Sequence, residues 1–220
     1  KYKTNFKNCP SQSAGKFAMK VLKNFEENRS LYDVKKEINE NFLQDKHFIK
    51  KYEISFDPVD NEMKIEVDCP KPYLKITLMD QEAEGALESI LVEDGDLLDP
   101  TYEILLTGEK KLKNALPSLA INKSELNQSN RLLLTRVIRE LGDKNFSKIG
   151  EVIYDKDSSL TMILSLNKKP VSVFLGKDEL VAKTEKLRRL LSYVEEKQKQ
   201  PTVINLINSK KVVVKFAHRK

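Results

Sequence analysis

Tryptophan is absent from the 220 residues, and aromatic side chains make up only 7%. A surface built from stacked aromatics is therefore not expected. Histidine is limited to His47 and His218, which leaves little for a general base or a metal cluster. Cysteine occurs only as Cys9 and Cys69, too far apart in sequence for a CxxC redox or zinc motif. No apolar run approaches the ~20 residues of a membrane span. No repeat period and no low-complexity tract is visible. The first residue is Lys1 rather than Met, so an upstream segment is expected to have been removed or omitted.

What is present suits a folded protein: 40% hydrophobic and 33% charged residues. The net charge is +6 and the isoelectric point near 9.1. That balance permits nucleic acid, acidic lipid headgroups or an anionic wall polymer as neighbours. Yet 33 acids lie among 39 bases and no long basic block occurs, which reads more simply as a solvated mixed-charge surface.

The periodicities change along the chain. Tyr2–Asn8 alternates weakly, as a short strand. From Ser11, the residues Ala14, Phe17, Ala18, Val21, Leu22 and Phe25 mark one face of an amphipathic helix. Ser30 with Asp33 fits a capping box, and Leu31, Val34, Ile38 and Phe42 continue at helical spacing. Then the period falls to two. Tyr52, Ile54 and Phe56 alternate before the turn at Asp57–Asn61, and Met63, Ile65, Val67 and Cys69 alternate after it. The first 70 residues thus read β-α-α-β-β, and Pro70 and Pro72 punctuate the end.

Further on, Leu74, Ile76 and Leu78 alternate, and Ile90–Val92 leads into the turn Glu93–Asp96. Tyr102–Leu106 reads as another short strand, and Ala115–Asn122 as an apolar link. Leu126, Leu133, Leu134, Val137, Ile138 and Leu141 share a helix face that Gly142 terminates. Strands are expected at Ile149–Tyr154, Leu160–Leu166 and Val171–Leu175. The turns Asp155–Ser158 and Asn167–Pro170 join them. Leu180, Thr184, Leu187, Leu191 and Val194 line a further helix, followed by strands at Val203–Ile207 and Val212–Phe216. The fold class is α+β: a βααββ domain over 1–71, then a strand-rich domain over 72–220 with two helices on a mainly antiparallel sheet. The short proline-bearing link between them favours limited hinge motion.

Catalytic chemistry finds no support in the motifs. HExxH, GxSxG, GxGxxG and GxxxxGK[ST] are all missing. Glu93, Asp94 and Asp96 form a turn more simply than an acid–base pair, and EF-hand spacing is lacking. Four N-x-[ST] triplets, at Asn28, Asn122, Asn127 and Asn145, carry no weight in a chain rich in Asn, Lys and Ser. No catalytic, metal or cofactor-binding residue is expected.

Five stretches in order resemble one family. "MKIEVDCPKPYLKI" (Met63–Ile76), "ILVEDGDLL" (Ile90–Leu98), "ALPSL" (Ala115–Leu119), "SVFLGKDELVAKTEKLRRLL" (Ser172–Leu191) and "VINLINSKKVVVKF" (Val203–Phe216) are similar to segments of the FtsQ/DivIB cell-division proteins. Those pair a POTRA domain with a β-domain. Asn205 stands where the family commonly has Asp, Ile207 where it often has Arg, and Cys69 where Cys is unusual. These departures bear on partner contacts more than on the fold.

The resemblance implies a single-pass inner-membrane protein whose tail and span lie outside this chain, with this part on the periplasmic side. It implies a scaffold without enzymatic activity that binds FtsB/FtsL-type coiled-coil proteins, with other divisome contacts through the POTRA domain and none to nucleic acid. The resemblance also implies that Cys9 and Cys69 end neighbouring parallel strands, close enough to bridge. Val212, Val213, Val214, Lys215 and Phe216 are expected to pair on one side and offer the other to a partner strand. The unbroken valine run suggests burial on both faces. Lys210, Lys211 and Lys215 discourage random pairing at such an edge. Lys183, Lys186, Arg188 and Arg189 are expected to attract acidic residues of the partner. Two other readings stay open: a POTRA-type outer-membrane assembly or secretion component, and a basic RNA-binding α+β domain.

Overall fold

Six α-helices and twelve strands are distributed over two sheets in the computed structural model, which describes residues 1–28, 30–42, 48–79, 86–155 and 157–216. The class is α+β. His47 and His218 lie outside the described residues. The chain divides into two compact units, Lys1–Lys71 with Thr101–Lys113, and Pro72–Pro100 with Asn114–Lys220.

In the first unit, β1 (Tyr2–Lys7), α1 (Ser11–Asn28), α2 (Leu31–Glu37), β2 (Lys51–Asp57) and β3 (Glu62–Asp68) follow one another, with a π-helical turn at Ile38–Phe42. The central strand β3 runs parallel to β1, Tyr2 opposite Met63, and antiparallel to β2. Strand side chains alternate between faces, so Met63, Ile65 and Val67 are buried while Lys64 and Glu66 are exposed. Onto that buried face α1 brings Ala14, Phe17, Ala18 and Val21, the residues of its apolar stripe. Phe17 meets Tyr52 with ring centroids 5.3 Å apart, and Phe25 meets Phe56 at 5.4 Å. Ser30 caps α2 by accepting the N–H of Asp33 at 3.3 Å.

Because β1 and β3 are parallel, their C-terminal ends lie together. There a disulfide joins Cys9 to Cys69, with Cα atoms 5.0 Å apart. Tyr102–Leu106 is not a strand: Thr101–Gly108 forms the helix α3, and the segment through Lys113 belongs to the first unit. The alternation over five residues was too short to separate the two periods, and tertiary packing of Tyr102 and Leu106 decides for the helix. The Tyr102 hydroxyl donates to the Pro70 carbonyl at 2.7 Å, with the Asn8 carbonyl sharing the same proton at the longer distance of 3.1 Å, beside the two cysteines. Lys111 Nζ donates to the Cys9 carbonyl at 2.6 Å and to Ser11 Oγ at 2.8 Å, and pairs with Glu109 at 2.7 Å. Both Glu109 oxygens accept the Ser11 N–H at 2.8 Å, placing a carboxylate at the positive end of α1. Burial pushes the Glu109 carboxyl up, but the bonds from Lys111 and Ser11 outweigh it and hold it at about 2.

The second unit is built on nine strands ordered β12-β11-β10-β9-β8-β7-β4-β5-β6. They are β4 (Pro72–Met79), β5 (Ala86–Val92), β6 (Leu97–Leu98), β7 (Ser118–Asn122), β8 (Ile149–Tyr154), β9 (Leu160–Leu166), β10 (Lys169–Gly176), β11 (Pro201–Asn205) and β12 (Val213–Phe216). Five of the eight pairings are antiparallel and three parallel, so the sheet is mixed. Ser118–Asn122, read in sequence as part of a link, is an interior strand parallel to both β4 and β8. Its Leu119 and Ile121 are buried while Ser118 and Ala120 are not, an alternation that the flanking Ala-Leu-Pro obscured.

Two helices provide crossovers between parallel strands, α4 (Gln128–Leu141) from β7 to β8 and α6 (Leu180–Glu196) from β10 to β11. A short α5 (Asp143–Phe146) follows α4. Asn127 caps α4 by accepting the N–H of Asn130 at 2.9 Å, and Gly142 ends it with φ at +82°. Leu134, Val137, Ile138 and Leu141 join Leu180, Leu187 and Leu191 in one core with the sheet residues. Between β9 and β10 the turn residues Asn167 and Lys168 both have positive φ, 50° and 63°. A two-residue hairpin turn of that kind matches the twist of its strands.

Candidate partner-binding site

The sheet ends at β12. It pairs antiparallel with β11, Asn205 opposite Val213 and Ile204 opposite Val214, and no described strand pairs with its outer side. Val212 precedes the strand. The approach to β12 is held by local bonds. Asn205 Oδ1 accepts the N–H of Ile207 at 2.9 Å, and Asn208 Oδ1 accepts that of Lys210 at 2.8 Å. Both are side-chain-to-backbone turns that need only an acceptor oxygen, which Asn supplies as well as Asp. Leu206 N–H reaches back to the Phe174 carbonyl at 2.8 Å.

Burial of this strand on both faces is not what the structure has. Val212, Val213 and Phe216 are 41%, 43% and 43% exposed, and only Val214 packs against the core. A four-residue strand at the end of a sheet has one neighbouring strand, and only one of its four side chains is drawn into the core. The valine run therefore leaves apolar surface open beside unpaired backbone groups. Lys210, Lys211 and Lys215 are exposed around it.

The basic residues of α6 divide. Lys183 is not a surface cation: it is 2% exposed, and its Nζ donates to the Leu175 carbonyl at 3.0 Å. Its position on the helix puts it with Leu180, Thr184 and Leu187 on the buried face. Lys186, Arg188 and Arg189 are exposed, and each already has a partner. Lys186 donates to the Ser209 carbonyl, Arg188 pairs with Glu140 at 3.2 Å, and Arg189 pairs with Glu185 one turn earlier.

Lys199, which the sequence reading did not single out, is placed differently. Its Nζ lies 5.7 Å from the ring centroid of Tyr193 and 5.5 Å from that of Phe216. Tyr193 is on α6 and Phe216 on β12, so no spacing in the sequence could signal the arrangement. Next to it is a cavity of about 460 Å³, lined among others by Lys148, Ser165, Asn167, Glu195 and Gln198. Glu195 is paired with Lys148 and, at 2.6 Å, with Lys144. Hydrogen bonds from Lys144 and then Lys148 hold its carboxyl below the usual range.

Such an arrangement can bind an extended segment by backbone hydrogen bonds and position it by charge. Among the described residues, no group of three or more His, Cys, Asp or Glu could hold a metal ion. No helix among them is long and apolar enough to cross a membrane. Searches of family models and of curated proteins return no match to this chain.

Proposed function

We propose that the chain is the extracytoplasmic part of an FtsQ/DivIB-like division scaffold. In this reading 1–71, with Thr101–Lys113 packed into the same unit, is a POTRA domain and the rest of 72–220 a β-domain, anchored to the inner membrane through a segment outside the chain. It catalyses no reaction. It binds FtsB/FtsL-type coiled-coil proteins and so helps to control septal peptidoglycan synthesis.

The observation that carries the reading is the open outer side of β12, an edge with exposed valines and lysines at the end of a nine-stranded sheet. An extended partner segment would extend the sheet there, its main chain supplying affinity and its side chains register. The lysines disfavour random pairing and favour an acidic partner. Further support is the order β-α-α-β-β ahead of the strand-rich unit, the order that the five resembling stretches imply.

Proline substituted singly at Val213, Val214 and Lys215 tests the edge. Successive backbone N–H groups point alternately to β11 and outward, so the outward frame loses a docking donor while keeping the internal ladder. The probe is a peptide spanning the extracytoplasmic end of the FtsB-type protein from the same genome. The expected result is loss of binding with an intact fold in the outward frame. Undiminished binding by every folded proline variant would refute the site.

A further inference from the structure

Several cations of α6 and of the neighbouring cavity are already engaged with oxygen atoms of the protein, while Lys210, Lys211 and Lys215 on and before β12 are simply exposed. Lys186 has the Ser209 carbonyl, Arg188 has Glu140, and Lys144 and Lys148 share Glu195. Lys199 is the exception in kind. Two aromatic faces hold its ammonium within the roughly 6 Å at which ring and cation attract, and no carboxylate among the described residues lies within ion-pair distance. Ring faces position a cation without neutralising its charge. The N–H groups not turned toward the rings remain available to an incoming acceptor.

Position adds a second, independent observation. Phe216 stands opposite Pro201 at the far end of the β11–β12 ladder, so the ammonium marks one end of the open edge. The neighbouring cavity of about 460 Å³ presents the amides of Asn167 and Gln198 and the hydroxyl of Ser165. Of the charged groups that line it, Lys148 and Lys199 outnumber the single carboxylate of Glu195, and Lys144 adds a further cation on Glu195, which leaves a net positive site. At that volume it has room for an acidic side chain of a bound strand together with water.

We propose that Lys199 receives a carboxylate of the acidic segment that pairs with β12 and thereby fixes the register of that segment. The inference rests on the strand-docking reading given above. Holding the ammonium in place beforehand reduces the side-chain ordering that binding must supply. An acidic residue at the matching position of the partner gains the ion pair, and a partner slipped by one residue points its carboxylate to the other face.

Titration calorimetry with the same FtsB-type peptide tests this, using Lys199→Met and Lys199→Arg and peptides with each acid changed in turn to its amide. Lys199 is exposed, so Lys199→Met keeps the apolar stem without disturbing the core. Binding is expected to weaken roughly fivefold in Lys199→Met and to lose part of its salt dependence, while Lys199→Arg keeps most of the affinity. One amide peptide should bind the wild type about as weakly and show no further loss against Lys199→Met. Equal binding by wild type and Lys199→Met at low and high salt, or the absence of any peptide acid coupled to Lys199, overturns the inference while leaving strand docking intact. No binding by the wild-type protein overturns both.

Discussion

The seam around Cys9 in the first unit and the sheet end at β12 in the second use the same materials in opposite ways. At the seam every named polar group is satisfied within the protein. The disulfide joins the two strand ends, Tyr102 bridges the carbonyls beside them, and Lys111 spends its donors on Cys9, Ser11 and Glu109. At the edge a backbone row has no described partner, valine and phenylalanine are half exposed, and the ammonium of Lys199 faces rings instead of oxygen. Two lysines with identical chemistry thus differ in whether their acceptors are built in. In the proposed reading the seam supplies stability and the edge is kept for binding.

If that division is right, changes at the seam should alter stability without touching affinity, and changes at the edge should do the reverse. The largest effect is expected from Cys9→Ala with Cys69→Ala. Opening a loop with a sequence separation of 60 residues should cost on the order of 4 kcal/mol in the chain-entropy view. Hydrogen exchange should show protection lost in 1–71 and retained in the core of the second unit. Equal loss in both would break the comparison.

Lys183 sharpens the comparison, because it lies on α6 near the edge yet is buried like a seam residue. Lys183→Met should lower stability by about 2 kcal/mol, since it leaves the Leu175 carbonyl without its donor. Peptide affinity and its salt dependence should stay unchanged. A selective loss of affinity in calorimetry would place Lys183 with the edge instead.

A smaller effect is expected at Glu109. Glu109→Gln weakens the carboxylate cap on α1 and should cost about 1 kcal/mol near neutral pH. The carboxyl titrates lower in the folded chain than its ordinary value of 4.5, so its contribution is complete above that pH. It is lost as the pH falls toward about 2. Denaturation measured across that window should show a shallower pH dependence in Glu109→Gln than in the wild type. An unchanged slope would mean that the cap contributes nothing to stability.

Much of the fold was legible because its signals are local. The stripe of α1, the alternation of β2 and β3, the cap at Ser30 and the stop at Gly142 each follow from residues within one or two turns of one another. The errors fall where distant residues decide. Tyr102 becomes helical because its ring and hydroxyl are taken up by partners such as Phe48 and Pro70, 54 and 32 residues away in sequence. Ser118–Asn122 becomes a strand because β4 and β8 flank it. At the candidate site, the edge position of β12 was expected, but its exposure was not, since a valine run cannot report how many neighbours it has. Lys183 and Lys199 look alike in sequence; burial of one and ring contacts of the other arise only when α6, β10 and β12 are assembled.

The central claim is that the outer backbone of β12 is a docking edge, and backbone amide exchange reads that backbone directly. Residue-resolved exchange over Val212–Phe216, with and without the FtsB-type peptide, should show alternate amides gaining protection on binding. The intervening amides, already bonded to β11, should change little. Binding of the peptide with protection gained elsewhere and β12 unchanged would contradict the account.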